Sequence, residues 1–70
     1  MKTVVLIYDI PRESHAVAVQ VLRSLKKMNA KMIHHSTWKS SNLKELIGIA
    51  IYIKSNGGHA SILEEKLIFE

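Results

Sequence analysis

Three apolar extended runs alternate with two helical patterns along the chain. The first run, 3–10 (TVVLIYDI), is β-branched and aliphatic on both faces and ends before a proline, which is typical of a central strand. The run 31–39 (KMIHHSTWK) has no helical periodicity and predicts a second strand. The run 59–70 (HASILEEKLIFE) predicts a last strand. One face of that last strand would carry Leu63, Leu67 and Phe69.

The segment 11–30 carries apolar residues at the three- and four-residue spacing of an amphipathic helix. Ser14 is the expected N-cap, and Asn29 lies near the expected end. The apolar stripe consists of Val17, Val21, Leu22, Leu25 and Met28.

The segment 40–58 fits two structures. Its part 47–54 (IGIAIYIK) has the β-branched content of a strand, whereas the apolar spacing from Leu43 onwards also fits a helical stripe. Ser41 followed by Glu45 resembles a capping box, and the sequence Asn-Gly-Gly at 56–58 is a typical helix end. These signals favour a helix.

The resulting order is β-α-β-α-β, with room for a short additional strand near Lys39. Right-handed crossovers predict one ferredoxin-like α+β domain over 1–70, with two helices on one face of an antiparallel sheet. The other sheet face would then lack a cover, and a second copy of the chain could supply it. We therefore expect a homodimer.

Composition narrows the class of protein. A chain of 70 residues buries only about 60% of its unfolded surface, so association is an expected source of stability. The absence of cysteine excludes disulfides, cysteine-bound metals and a thiol nucleophile. There is no apolar run of about 18 residues and no signal-peptide cleavage site, so we expect a cytoplasmic protein without a membrane partner.

The net charge of +4 is unevenly distributed. Residues 1–44 hold eight Lys and Arg against two acids, whereas 45–70 hold two against four. A basic half favours a polyanionic partner, although Arg23, Lys26 and Lys27 beside the polar face of the first helix could equally form a solvated surface.

Asp9 is the only aspartate, and it ends the first strand. Ligand-binding loops often gather at that end of a strand, but a lone carboxylate is too few ligands for Mg²⁺. Two Asp9 carboxylates related by a two-fold axis could share a cation and orient a phosphodiester. Capping of the following turn is the alternative role.

The histidines, the serines and Trp38 give weaker indications of a functional site than Asp9 does. His34 and His35 are adjacent, so on one strand they would point to opposite faces and could not chelate one ion, although either could be a general base. The serines lack the motifs of acyl transfer. Trp38 could stack on a base or belong to the core or a dimer interface.

Several segments together resemble the small CRISPR-associated adaptation nucleases, the compact partner of the CRISPR integrase. VVLIYDIP (4–11) is similar to the strand and aspartate that open this family, and HHSTW (34–38) is similar to its second-strand motif. VLRSLKK (21–27) lies where the family has its first helix, and SILEEKLIF (61–69) resembles its late strand. The resemblance implies a ferredoxin-like dimer that is either a metal-dependent nuclease or a structural part of the integration complex.

Carried over by motif, the family's aspartate falls on Asp9, its serine on Ser36 and its aromatic residue on Trp38, with Arg12 in the often basic region after the aspartate. The resemblance thus implies a homodimeric Mg²⁺- or Mn²⁺-dependent endonuclease acting on RNA or DNA. Asp9 of both chains would bind the metal, while Ser36 and Arg12 place the phosphate.

The alternative is a non-catalytic dimeric module that binds nucleic acid or a protein such as the integrase. Its contacts would come from the basic residues and Trp38 rather than from a metal site. The basic residues of this set are Arg23, Lys26, Lys27, Lys31 and Lys39. A scaffold that shares only the fold is a third alternative.

Overall fold

A computed structural model describes residues 3–64, which form an α+β arrangement of four strands and two helices. The second helical pattern is a helix, including 47–54. The predicted positions of Leu67 and Phe69 lie outside the described residues. The elements are β1 (Val4–Asp9), α1 (His15–Lys27), β2 (Lys31–His34), β3 (Thr37–Ser40), α2 (Leu43–Ser55) and β4 (His59–Glu64).

The strands form one antiparallel sheet in the order β2-β3-β1-β4. The predicted central position of β1 is confirmed, because it pairs with β3 on one side and β4 on the other. In this register, Leu6 of β1 lies opposite Trp38 of β3 on one side and Ile62 of β4 on the other.

The prediction of one strand over 31–39 is wrong, because this run is a hairpin. His35 and Ser36 form its turn, and β3 is the short extra strand expected near Lys39. Ser36 takes the left-handed conformation (φ 57°), and its carbonyl accepts a hydrogen bond of 3.1 Å from the Tyr8 N–H. Because no glycine, proline or asparagine marks the turn, the sequence pattern contains no signal for it.

Both helices pack on the same face of the sheet, as predicted, and share one hydrophobic core with it. Even-numbered residues of β1 point into this core, where Leu6 has no exposed surface. The core consists of Val4, Leu6, Val21, Leu25, Trp38, Leu46, Ala50 and Ile53.

The helix ends follow local chain chemistry. Each helix closes with a Schellman pair of hydrogen bonds around a left-handed residue, Asn29 (φ 60°) after α1 and Gly57 (φ 86°) after α2. At the start of α2 the cap is Asn42, whose side chain accepts the Glu45 N–H at 3.2 Å. The prediction of Ser41 in that role is wrong by one residue. Ser14 is the N-cap of α1 by position, but its side chain makes no capping hydrogen bond.

Candidate nucleic-acid interface and metal site

The sheet face away from the helices carries the odd-numbered residues of β1 and their cross-strand partners, and we call it the open face. Directly paired residues of neighbouring strands project from the same face, so the register fixes its membership. From β2 and β3 come Lys31, His34, Thr37 and Lys39; from β1 come Val5, Ile7 and Asp9; from β4 come His59, Ser61 and Leu63.

An apolar group occupies the middle of the open face. Val5 pairs directly with Leu63, and Ile7 follows Val5 on the same side of β1. Ile7 is 42% exposed and Leu63 is 52% exposed. Aliphatic side chains at the centre of a sheet face lose water contact favourably when a second surface covers them.

Asp9 ends β1 at the border of the open face, and its side chain is exposed. Its cross-strand partner is His59, the first residue of β4. The hydrogen bond from the Tyr8 N–H to the Ser36 carbonyl holds the β2–β3 turn beside the same end of β1. The fold therefore brings Asp9 and Ser36 together at one end of the sheet, with His59 as an additional neighbour.

Arg12 lies on the exposed turn that leads from β1 into α1, three residues after Asp9. The Ser14 N–H donates to the Pro11 carbonyl at 2.9 Å, which closes this turn. Arg12 is thus on the same side of the molecule as the end of β1.

One chain offers few ligands for a divalent cation at this end of the sheet. Residues 3–64 contain no cluster of three or more His, Asp or Glu side chains that could hold a metal ion. Mg²⁺ and Mn²⁺ prefer oxygen ligands and are often held by one or two carboxylates with waters and phosphates. Asp9 is an exposed carboxylate that offers one oxygen ligand of this kind.

The predicted nucleic-acid contacts fall on two opposite sides of the molecule. Arg23, Lys26 and Lys27 lie on the outer surface of α1, away from the buried Val21 and Leu25. By contrast, Lys31 and Lys39 are cross-strand neighbours on the open face. One nucleic acid strand on one face of a single chain cannot contact both sets.

Trp38 is 5% exposed and belongs to the core, which is one of the roles expected for it, so its buried ring is not available for stacking on a base. Its pairing with Leu6 and Met32 places it on the helix-covered face of the sheet. Tyr8, the aromatic residue of β1, packs against the same core. Within residues 3–64 the open face therefore has no aromatic ring, and contacts there would involve the backbone of a nucleic acid rather than base stacking.

The histidines lie at positions that differ from those expected from the sequence. His35 lies in the turn, so the two adjacent histidines do not alternate along one strand. His34 is on the open face opposite Thr37. His59, which appears isolated in the sequence, is the neighbour of Asp9; antiparallel pairing of the first and last strands would have predicted this contact.

A groove of about 770 Å³ lies between α1 and α2. Lys27 lies on its α1 side and Glu45 on its α2 side, and Gly48 forms part of its wall. Asp9, Ser36 and Arg12 are not part of it, so this groove is separate from the end of β1.

No helix within residues 3–64 is long and apolar enough to cross a lipid bilayer. Comparisons with protein-family models, with curated proteins and with solved structures find no match to this chain.

Proposed function

We propose that this chain is a nucleic-acid-binding protein of the CRISPR adaptation type, with a ferredoxin-like fold and a homodimeric active form. The element order β-α-β-β-α-β supports the fold, since it is the order of a split βαβ sandwich. The sheet order β2-β3-β1-β4 agrees with two interleaved βαβ units.

The observation that carries nucleic-acid binding is the charge on the outside of α1. This helix of 13 residues contains no acidic residue, and its cations lie on one exposed side. Arg23 and Lys27 are four residues apart, an arrangement of like charges that costs about 0.2–0.5 kcal/mol in an isolated helix. A phosphate backbone along this side would turn that repulsion into attraction.

The apolar middle of the open face supports the homodimer. Covering Val5, Ile7 and Leu63 with the same group of a second copy would remove aliphatic surface from water on both chains. Asp9 lies at the border of that face, so a two-fold axis could bring both Asp9 carboxylates to one cation.

We further propose phosphodiester cleavage at the paired Asp9 site, favoured by the exposure of Asp9 next to the Ser36 turn and Arg12. The two Asp9 side chains would hold Mg²⁺ or Mn²⁺. When bound, that ion would activate water and stabilise charge on the phosphate. Arg12 would bind the substrate phosphate, and the Ser36 hydroxyl would orient it.

Binding is tested by fluorescence anisotropy with labelled RNA and DNA over a range of salt concentrations. For duplex DNA, replacing Arg23, Lys26 and Lys27 by Gln should reduce the slope of log K against log salt by about 0.9 for each phosphate that the protein no longer neutralises. A Lys44→Gln variant, also on an exposed helix position, is the control. An unchanged slope in the triple variant would refute the α1 interface.

Cleavage is tested with Mn²⁺ or Mg²⁺ and an Asp9→Asn variant. This change removes a charge but little volume at an exposed position, so the fold should persist while metal-dependent cleavage is abolished. Glu13→Gln, an exposed acid on the following turn, is the matched control and should retain activity. Cleavage that survives in Asp9→Asn would exclude the paired-carboxylate site, whereas binding without any cleavage would leave the non-catalytic module as the function.

A further inference from the structure

One side of α2 carries an exposed apolar stripe whose residues are four apart, namely Leu43, Ile47 and Ile51, and we call it the α2 stripe. These side chains are 46%, 43% and 59% exposed, respectively. Residues four apart lie above one another on a helix, so the stripe is continuous. Because the core within residues 3–64 is formed by the other side of α2, the stripe is not used in the packing of the described residues.

The α2 stripe points away from α1 and towards the free border of the sheet. Glu45 and Ile49 line the groove that faces α1, and Ile47 is two residues from each, roughly half a turn around the helix. Among the sheet strands, α2 contacts β4 most extensively and β1 next. The stripe therefore lies above the outer edge of β4.

The outer edge of β4 has no neighbouring strand within the described part of the chain. Within residues 3–64, β4 is a terminal strand of the sheet and pairs with β1 on its inner side. Its six residues, His59–Glu64, include no proline that would block further pairing. A strand edge of this kind next to an apolar stripe offers backbone hydrogen bonds and hydrophobic contact to the same partner.

We infer that these two features form an edge-to-edge interface with a second copy of this chain. A two-fold axis perpendicular to the sheet would pair β4 with β4 of the partner in an antiparallel manner, giving a continuous sheet that joins the four described strands of each copy. The same axis would place the two α2 stripes side by side. One symmetry operation thus pairs the β4 edge and covers the α2 stripe at the same time. A strand from another protein could pair with the β4 edge, but only every second side chain of that strand would face the α2 stripe.

Strand spacing supports the fit of this arrangement. Adjacent strands are about 4.8 Å apart, so the border between two copies lies about 2.4 Å beyond β4. The axis of α2, which lies above β4 and β1, is within about 5 Å of that border, measured along the plane of the sheet. The two α2 axes would then be about 10 Å apart or slightly closer, the range in which packed helices interlock their side chains.

This interface is separate from the open-face dimer of the proposed function, so matched variants distinguish them. Ile51→Lys places a charge in the α2 stripe, and Ile7→Lys places one on the open face; both positions are exposed, at 59% and 42%, and should tolerate lysine. Leu22→Lys on α1, 39% exposed, is the control. The solution mass of each variant is measured by light scattering, and its fold is checked by circular dichroism.

The edge-to-edge interface predicts that Ile51→Lys halves the oligomeric mass of the wild type while Leu22→Lys leaves it unchanged. Amide hydrogen exchange gives a second measurement: the N–H groups on the outer edge of β4 should be protected in the wild type and lose protection in Ile51→Lys. A monomeric wild type, including one in which the β4 edge is protected by the same chain, would overturn the inference. So would a mass that falls with Ile7→Lys and not with Ile51→Lys, a result that leaves the open-face dimer intact.

Discussion

Among the three glycines, Gly58 is the one where an added methyl group would meet the closest contacts. It is buried after α2, where its N–H donates to the Ile53 carbonyl at 2.9 Å. A Cβ atom built on Gly58 would lie 2.6 Å from the carbonyl oxygen of Asp9 and 2.6 Å from Cγ2 of Ile53. The first of these is backbone, so the clash cannot be relieved by rotating a side chain.

Gly58→Ala should therefore force the end of β1 away from the turn that precedes β4. Overpacking of this kind costs about 1–3 kcal/mol, and reduced freedom of the unfolded chain returns about 0.4–1 kcal/mol. The middle of each range leaves a net loss of about 1.3 kcal/mol, which lowers the Tm of a chain of this size by about 5–10 °C. The measurement is thermal and urea unfolding at one fixed protein concentration, since association also contributes to apparent stability.

Gly48→Ala is the matched control, because a Cβ atom at Gly48 in α2 would meet no atom within 4 Å. Alanine in a helix interior is favoured over glycine by about 0.5–1 kcal/mol, so this variant should be more stable than the wild type. If Gly58→Ala were as stable as Gly48→Ala, the close approach between the β1 end and the α2–β4 turn would not exist as described.

Three further predictions concern the caps, the core and the tryptophan. Asn42→Ala should lower the free energy of unfolding by about 1 kcal/mol, because the Asn42 side chain caps α2. The Ser14 side chain makes no capping hydrogen bond, so Ser14→Ala should change this free energy by less than about 0.5 kcal/mol. Equal losses in urea unfolding would contradict the cap geometry. Leu25 has no exposed surface, so Leu25→Ala should lower the free energy of unfolding by about 3–5 kcal/mol. Leu22→Ala on the same helix should lower it by less than about 1 kcal/mol. Similar losses for the two variants would mean that α1 packs through another side. Trp38 should keep its fluorescence intensity and emission wavelength when RNA or DNA is added, because the ring is buried; quenching without unfolding would show that it reaches the ligand.

The segments with the clearest apolar patterns form the secondary-structure elements that the sequence predicts for them. β1 is apolar on both faces because helices cover one face and the aliphatic residues of the open face meet their cross-strand neighbours on the other. The helix over 47–54 forms although its residues favour strands, since the cap at Asn42 and the left-handed Gly57 define both helix ends locally. Burial of Leu46, Ala50 and Ile53 in the core, together with these caps, thus outweighs intrinsic strand propensity.

The hairpin and the neighbours of Asp9 depend on long-range contacts that a local pattern does not contain. The β2–β3 turn uses Ser36 in a conformation that is uncommon for serine, and a hydrogen bond from Tyr8 of another strand supports it. Likewise, His59 becomes a neighbour of Asp9 only through the register of β1 with β4. Burial of Trp38 follows from the register of β1 with β3, because its position opposite Leu6 places it beneath the helices.

The two proposed interfaces differ in where they place the cations of α1, and this affects how nucleic acid could bind. Open-face pairing stacks two sheets with their helices on opposite outer sides, so the two sets of Arg23, Lys26 and Lys27 face away from each other. Edge pairing keeps both helix layers on one side of a continuous sheet, because its axis is perpendicular to that sheet. A rigid duplex could then contact both sets at once. Titration of a duplex longer than the dimer should accordingly saturate at one duplex per edge-paired dimer but at two per open-face dimer, so the stoichiometry reports which pairing carries the binding.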